Sequence, residues 1–206
     1  MKFQYLVPLA FILVSATASA DGFYALGEVT HSNNSLNRDA FNNELSASGA
    51  TGLTSSDKGS GNQWRLQGGY RFSPNLAVEG GFIDFGKDKY TAAYAGGSAQ
   101  GKLKASGIDV AAVLSLPVTD NFSVFGKAGV VAAKVKSSLV ANAPATAASG
   151  SSSATVVRPL LGVGASYKLT QNVDLRADFD HVSGLGKTST GKMSDNMFSL
   201  GVGYNF

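Results

Sequence analysis

Apolar and polar residues alternate without interruption along the last eleven residues of the chain, 196–206. The apolar parity contains Phe198, Leu200, Val202, Tyr204 and Phe206, and the other contains Met197, Ser199, Gly201, Gly203 and Asn205. A period of two over about ten residues indicates a β-strand with one apolar face, long enough to cross a bilayer core when tilted. Because strands are stable in lipid only when a closed barrel pairs every backbone group, this strand predicts several others.

The same alternation recurs in seven earlier segments, at residues 23–32, 62–72, 76–86, 102–116, 122–137, 155–169 and 173–184. Tight turns are predicted at residues 73–75, 117–121 and 170–172. Longer segments that are polar, glycine-rich or of low complexity are predicted to be loops, the first of them mobile: 33–61, 87–101, 138–154 and 185–195.

An even number of strands, with short turns at one end and long loops at the other, is typical of a bacterial outer-membrane barrel. The predicted fold is therefore all-β, an eight-stranded antiparallel transmembrane β-barrel over residues 21–206. Pro159 cannot donate a hydrogen bond to a ladder, so we expect it near the barrel rim or at a bulge.

Alternation alone does not say whether the apolar side faces lipid or a protein core, so a soluble secreted barrel is the competing interpretation. The other parity is dominated by Gly, Ser and Ala rather than by the Lys, Glu and Thr of a water-exposed sheet. Aromatic residues also gather beside the short turns, as an interfacial girdle requires: Tyr70, Phe72, Phe122, Tyr167, Tyr204 and Phe206. Both features favour lipid on the outside.

With lipid outside, charged residues fall on the inward parity. They are Glu28, Arg65, Glu79, Asp109, Lys127, Arg158, Arg176, Asp178 and Asp180. An eight-stranded barrel is only wide enough for its own side chains, and an unpaired charge inside it costs several kcal/mol. We therefore predict that these acids and bases form a barrel-interior ion network. A gated, narrow small-solute pore is the functional alternative.

Residues 1–20 are predicted to be a secretory signal peptide, because Lys2 precedes an apolar run at 5–14 and Ala18-Ser19-Ala20 forms a cleavage site. The 17 basic residues less Lys2 leave 16, against 14 acidic residues, so the mature chain has a net charge of +2. This near-balance argues against nucleic acid as a partner. The chain contains no cysteine, which excludes disulfides and thiolate chemistry, and we expect no metal site and no cofactor.

The run KASGIDVAAVLSLPVTDNFSVFGKAGV at 104–130 and the run from Leu169 to the terminal MFSLGVGYNF resemble the transmembrane domain of the OmpA family. SPNLAVEGGF at 73–82 extends the resemblance. It implies a Gram-negative outer membrane, extracellular loops, periplasmic termini, and a role in envelope integrity, adhesion or phage reception. It also implies contact with membrane lipid and lipopolysaccharide, and assembly by periplasmic chaperones and the barrel-assembly machinery. A chain that ends on aromatic residues, here Tyr204 and Phe206, resembles the terminal assembly signal of such barrels.

The chain departs from the family in two respects. Family members carry a peptidoglycan-binding domain, and none is expected here because the chain stops at Phe206. They also have an interior cluster of four ions proposed as a gate, two of whose positions fall on Glu79 and Arg176. The other two fall on Val113 and Ser166, which do not ionise, so a gate of that kind is not expected.

His181-Val182-Ser183 resembles the His-x-Ser of outer-membrane lipid A deacylases, which hydrolyse an acyl ester with a serine, a histidine and an acid on the lipid-facing wall. A serine nucleophile needs an adjacent base and a third group that orients the base. Asp195 has the right separation, but its parity points inward, and Gly184 stands where asparagine is expected. An interfacial histidine is the favoured interpretation, and we predict no enzymatic activity.

The leading functional prediction is therefore a non-enzymatic outer-membrane protein that supports the envelope and presents surface loops. A narrow channel and adhesion through residues 33–61 are the alternatives. The oligomeric state stays open, because lipid-facing and partner-facing apolar walls have the same composition.

Overall fold

The computed structural model describes residues 22–36, 38–59, 62–185 and 193–206. The predicted signal peptide lies outside these residues, as does much of the predicted loop 185–195. No helix in the described part of the chain is long and apolar enough to cross a membrane.

Nine strands and one α-helix account for most of these residues. In chain order they are β1 (Phe23–Leu36), α1 (Asp39–Ala47), β2 (Thr54–Gly59), β3 (Asn62–Arg71), β4 (Leu76–Tyr94), β5 (Gly97–Pro117), β6 (Phe122–Ala141), β7 (Gly150–Lys168), β8 (Val173–Leu185) and β9 (Met193–Asn205). A short 3-10 turn, Thr146–Ala148, lies between β6 and β7.

Eight of the strands form a closed ring in the order β4, β3, β1, β9, β8, β7, β6, β5, and β5 pairs back with β4. Every pairing is antiparallel. The predicted eight-stranded barrel is therefore confirmed. Pro159 lies at the rim of the β7–β8 ladder, which begins one residue later at Leu160.

The apolar parity faces outward around the whole ring. Trp64 is 47% exposed and Leu200 is 53% exposed, whereas Glu79 and Asp180 are fully buried. A soluble barrel would show the reverse arrangement, with its apolar residues in a dry centre. The structure therefore supports the lipid-facing assignment of these strands.

Two of the predicted loops, 87–101 and 138–154, are wrong. β4 and β5 continue to a turn at residues 95–96, and β6 and β7 continue to the turn at 142–149. Inward positions there are filled by small or aromatic residues such as Ala92, Tyr94 and Ala99, which are buried. Buried and exposed residues do alternate in these segments, but alanine, glycine and serine occur on both parities, so the sequence shows little difference in hydrophobicity between the two faces.

The predicted mobile loop at 33–61 is also wrong, since it contains α1 and β2. β2 pairs with β4 beyond the end of β3, with Asp57 opposite Tyr90. We call the part of the molecule that continues past this end of the barrel the extension. It consists of α1, β2 and residues 87–106 and 133–157. Arg38 fixes α1 to β2, because its guanidinium Nε lies 3.3 Å from Asp57 Oδ1.

Helix α1 forms because Phe41 and Leu45, one turn apart, both bury an apolar face. The negative charge of Asp39 in the first turn interacts favourably with the positive end of the helix dipole and so stabilises the helix. Gly49, with a φ of +100°, ends the helix, and the amide of Ala50 donates to the carbonyl oxygen of Leu45 at 3.0 Å. This is the glycine-terminated cap that a left-handed residue permits.

The extension has its own apolar core on the inner face of its sheet. The rings of Phe41 and Tyr90 stack with centroids 4.9 Å apart, and the Tyr90 hydroxyl donates to Asn42 Oδ1 at 2.5 Å. The Tyr94 hydroxyl donates to the carbonyl oxygens of Ser98 and Asn142, at 3.0 and 2.7 Å. The extension is therefore a packed structure rather than a set of loops.

Candidate functional site

Eight charged side chains lie buried together in the barrel lumen. They are Glu28 of β1, Arg65 of β3, Glu79 of β4, Asp109 of β5, Lys127 of β6, and Arg176, Asp178 and Asp180 of β8. Each occupies an inward position of its strand, so closure of the ring brings residues far apart in sequence close together in the lumen. We call this group the lumen cluster.

Arg176 is the centre of one half of the lumen cluster. Its guanidinium binds both carboxylate oxygens of Glu79, with Nη2 3.1 Å from Oε2, and its Nε lies 3.0 Å from Asp178 Oδ1. The Tyr24 hydroxyl donates to Glu79 Oε1 at 2.7 Å, and the Phe125 ring lies 4.1 Å from the Arg176 guanidinium carbon. This bidentate, stacked geometry suits arginine and not lysine.

Lys127 and Arg65 complete the other half. Lys127 Nζ lies 2.6 Å from Asp178 Oδ2 and 2.9 Å from Asp180 Oδ2. Arg65 Nη1 lies 2.6 Å from Asp180 Oδ2 and 3.4 Å from Glu28 Oε2. An unbroken series of ion pairs therefore runs across the lumen from Glu79 to Glu28.

Amide side chains and polar atoms border this series. Gln67 Nε2 donates to Asp109 Oδ2 at 2.8 Å. Arg65 Nε and Nη2, Asp109 Oδ1 and Asp180 Oδ1 are buried without a hydrogen-bond partner among the described residues. Buried polar atoms of this kind are ordinarily satisfied by ordered water. The lumen cluster is thus a polar plug that suits a few enclosed waters.

A layer of apolar side chains closes the lumen next to the lumen cluster, on the side of the extension. Its members are Ile83, Val131, Leu160, Val182 and Met197, each at most 1% exposed. Met197 was predicted on the parity opposite the apolar face, but the predicted interior consisted of ion pairs rather than of apolar side chains. The lumen therefore has two successive barriers, one charged and one apolar.

Arg158 differs from the eight charged residues of the lumen cluster in its burial. It shares the predicted inward parity, but its side chain is only partly buried, and its Nη1 lies 3.5 Å from the carbonyl oxygen of the adjacent Val157. Tyr24, Phe125 and Gln67, which contact the lumen cluster, were missed by sequence analysis. Their inward parity beside charged positions was the available signal.

His181 and Ser183 lie on the outward side of β8, where the sequence resembled a deacylase. His181 Nε2 lies 2.7 Å from Ser183 Oγ, and His181 Nδ1 lies 2.6 Å from Asn196 Oδ1 of β9. The third position is therefore held by a neutral amide, Asn196, and the side chain of Asp195 lies outside the described residues. The β8–β9 register shifts between Val182 and Leu185.

Exposed aromatic rings surround the barrel at the end that carries the tight turns. Phe23 and Tyr70 are 4.7 Å apart, Tyr70 and Phe72 are 4.9 Å apart, and Tyr204 and Phe206 are 5.2 Å apart between ring centroids. The Phe206 amide donates to the carbonyl oxygen of Phe23 at 3.1 Å. The chain terminus is thus held against the first strand within an aromatic girdle.

A closed ring of eight antiparallel strands, with an apolar outer wall, an aromatic girdle and a packed charged lumen, defines a small transmembrane β-barrel of the outer-membrane type. The sequence makes the assignment more specific. Residues 41–206 match the OmpA-like transmembrane domain, and the chain belongs to that family.

Outer membrane protein A of Serratia marcescens is 36% identical over 140 residues, which are 67% of this chain and 37% of that protein. The chain thus spans less than two fifths of the length of this relative. Neisserial surface protein A has a TM-score of 0.54 at 22% identity, over 92% of this chain and 100% of that one. OprG of Pseudomonas aeruginosa has a TM-score of 0.54 at 15% identity, over 91% and 97%. These two structures show a shared fold.

Proposed function

We propose that this outer-membrane barrel is non-enzymatic, supports the envelope, and presents the extension at the cell exterior, with both termini in the periplasm. The observation that carries the proposal is the doubly closed lumen. Ion pairs such as Arg65 with Asp180 fill its middle, and apolar side chains such as Val131 and Met197 fill the adjoining level. A barrel packed in this way is suited to a structural role and to displaying what is built on its rim.

Planar-bilayer recording tests this proposal against the narrow channel. The purified protein, whose folded state is verified by its heat-dependent electrophoretic mobility, is expected to give no discrete conductance steps. Steps that appear in proportion to the folded protein would contradict the structural role and favour the channel.

The orientation is tested by labelling intact cells with a membrane-impermeant thiol reagent. Ala147→Cys places a single thiol on the exposed 3-10 turn of the extension, in a chain that has no other cysteine. We expect labelling from outside. The control is Thr119→Cys in the tight turn at the opposite end, which is expected to react only after the outer membrane is opened.

Hydrolysis of an acyl ester is the second candidate function, and one observation favours it. Ser183, His181 and Asn196 form a hydrogen-bonded series in the order of nucleophile, base and orienting group. We rank it second because a neutral asparagine stabilises an imidazolium less than a carboxylate does, and because Gly184 follows the serine.

Mass analysis of lipid A from cells that express the wild type, His181→Ala or Ser183→Ala decides between the candidates. The non-enzymatic proposal predicts the same acylation in all three strains. A deacylated product that disappears in both variants, while each variant still folds, would establish the hydrolase instead.

A further inference from the structure

The outward face of the extension carries seven lysines. They are Lys58 of β2, Lys87 and Lys89 of β4, Lys102 and Lys104 of β5, and Lys134 and Lys136 of β6, and all are exposed. We call this surface the lysine face. The mature net charge of +2 less these seven charges leaves −5 for the rest of the mature chain, so the near-balance of the sequence conceals a strong segregation.

The strand register places lysines directly opposite one another. Lys89 lies between Lys58 and Lys102, and Lys104 lies between Lys87 and Lys136, across three adjacent ladders. Directly opposite residues have Cβ atoms about 4.5–5.5 Å apart, and like charges at this separation destabilise a sheet. The arrangement therefore favours a bound anion that offsets the repulsion.

Four lysines at the centre of the lysine face have no such anion among the described residues. Its other outward positions hold Ser, Thr, Gln, Ala and Val. Among the described residues, the ammonium groups of Lys89, Lys102, Lys104 and Lys136 have no carboxylate within ion-pair distance. Asp57, the exposed acid nearest in sequence to Lys58, is paired with Arg38.

Hydroxyl groups adjoin the lysines in an open groove of about 400 Å³. The groove is lined by Lys102, Lys104, Lys136, Ser137, Ser138, Ser151, Ser152 and Ser153. Of the five serines, Ser138, Ser151 and Ser153 share the outward parity of the lysines. Lysine ammonium and serine hydroxyl groups are both donors to phosphate and carboxylate oxygens. The groove therefore combines positive charge with neutral donors suited to a phosphorylated sugar.

The lysine face begins directly above the lipid-facing wall on the same strands. Lys104 precedes the exposed Ile108 by four residues, and Lys134 follows the exposed Val130 by four. Four residues span about 13 Å along a strand, or about 10 Å along the membrane normal at a tilt of about 40°. The polar zone of an ordinary bilayer adds only about 5–8 Å on each side. The lysines thus stand at and beyond the headgroup level.

We propose that the lysine face binds the phosphate and carboxylate groups of outer-leaflet lipopolysaccharide, with the groove between β5, β6 and β7 as its centre. The lower lysines reach down to phosphates at the membrane surface, and the upper lysines meet anionic sugars above them. The inference rests on the proposed function in one respect, the outward orientation of the extension.

Titration of lipopolysaccharide into the folded, detergent-solubilised protein tests the proposal. The variant Lys102→Gln/Lys104→Gln/Lys136→Gln removes the charge of the groove, and Lys102→Arg/Lys104→Arg/Lys136→Arg preserves it. At about a fivefold effect per lysine near a charged surface, the Gln variant is expected to bind on the order of 100-fold more weakly at low salt. The Arg variant is expected to bind as the wild type does, and Lys168→Gln, at the opposite end of the barrel, controls for loss of charge.

Three further ligands complete the experiment: dephosphorylated lipopolysaccharide, inorganic phosphate and heparin. Weak binding of all three by the wild type supports the proposal. Equal affinity of the Gln variant and the wild type for lipopolysaccharide overturns it, as does undiminished binding of the dephosphorylated form. If inorganic phosphate binds as tightly as lipopolysaccharide does, the groove is a site for free anions. If heparin binds more tightly than lipopolysaccharide and its binding depends on the lysines, the partner is a soluble polyanion. Either result overturns the lipid assignment. Failure of the proposed function appears separately, in the conductance and thiol-labelling experiments, which do not depend on these lysines.

Discussion

Lys127 of β6 lies directly opposite Val113 of β5 in the barrel ladder. Val113 is one of the two positions where the family resemblance predicted an ion and the chain has none. Lys127 supplies a charge on the strand next to Val113. In the same way, Asp178 lies on the strand next to Ser166, two residues after Arg176, which is the ladder partner of Ser166. Glu79, Arg176, Lys127 and Asp178 thus form a group of two acids and two bases within the lumen cluster, carried by β4, β6 and β8.

Lys127 is the base on which two acids depend. Lys127→Met leaves Asp178 and Asp180 with only their arginine partners, and removal of one member of a buried ion pair destabilises by about 3–5 kcal/mol. We expect that loss in the free energy of unfolding, measured by urea titration in detergent micelles. Lys168→Met, at an exposed position, serves as the control and is expected to change stability by less than about 0.5 kcal/mol.

Glu79 and Arg176 form a bidentate pair, so their mutational effects are expected to be coupled. A double-mutant cycle with Glu79→Gln and Arg176→Met should give an interaction energy near the upper end of the usual range of about 0.5–3 kcal/mol. The matched cycle uses Thr30→Val and Ser199→Ala, whose hydroxyl oxygens are 2.8 Å apart in the same lumen. That neutral pair should couple by about 1 kcal/mol. Equal coupling in the two cycles would contradict the central role assigned to Arg176.

Alternation along the strands was sufficient to predict the ring and the two faces, because a period of two is a local property. Met197 and Leu200 illustrate this: they are three residues apart, on opposite parities, and lie inside and outside as expected. The lumen cluster followed from the same parity plus the rule that buried charges are paired. Which acid contacts which base could not be predicted, since that depends on the stagger between strands.

The extension and the lysine face could not be recognised for two different reasons. In the extension, small residues such as Ala92 and Ala99 contribute little contrast between the two faces, so strong markers of the inward parity such as Tyr90 are widely spaced. In the lysine face, Lys89 lies opposite Lys102, which is thirteen residues later in the chain and on the other side of a turn. This pairing can be recognised only when the strand register is known. Composition averaged over the chain removes such information.

Met197 and Leu200 also allow a direct test of the apolar barrier. Met197→Ala opens a cavity in a packed core and is expected to cost about 2–5 kcal/mol. Leu200→Ala, on the lipid-facing side of the same strand, leaves no enclosed cavity and is expected to cost clearly less. Urea titration in micelles measures both, and a larger loss for the outward residue would contradict the assigned faces. Neither variant should conduct in planar bilayers, because the lumen cluster still closes the barrel.

Tyr90 reports on the packing of the extension. Burial raises the pKa of its phenol above the ordinary value of about 10, although a hydrogen bond with Ser55 and the charge of Arg38 oppose the shift. The raised pKa belongs to the folded state, so ionisation of Tyr90 is less favourable in the folded protein than in the unfolded chain. The contribution of Tyr90 to the free energy of unfolding is therefore fully present below about pH 10 and is lost as the pH rises through the folded pKa. Removal of the stacked ring in Phe41→Ala should therefore lower the pKa of Tyr90.

The measurement for Tyr90 is an ultraviolet pH titration of phenolate absorbance, with Tyr90→Phe to identify its contribution. Asn43→Ala, an exposed change on the same helix, is the control and should leave the curve unchanged. An unaltered Tyr90 transition in Phe41→Ala would show that α1 does not shield the phenol.

Phe206 can act as part of the terminal assembly signal or only as a residue of the aromatic girdle, and a comparison with Phe72 separates these two roles. Its ring is exposed next to Tyr204, much as the ring of Phe72 is exposed next to Tyr70 at the same end of the barrel. If Phe206 acts only through the membrane interface, Phe206→Ala and Phe72→Ala should have equal effects. We expect instead that Phe206→Ala reduces the fraction of folded barrel in cells severalfold, whereas both variants fold equally well from urea into detergent. Heat-dependent electrophoretic mobility measures both fractions, and an equal deficit in detergent would assign the effect to stability rather than to recognition by the assembly machinery.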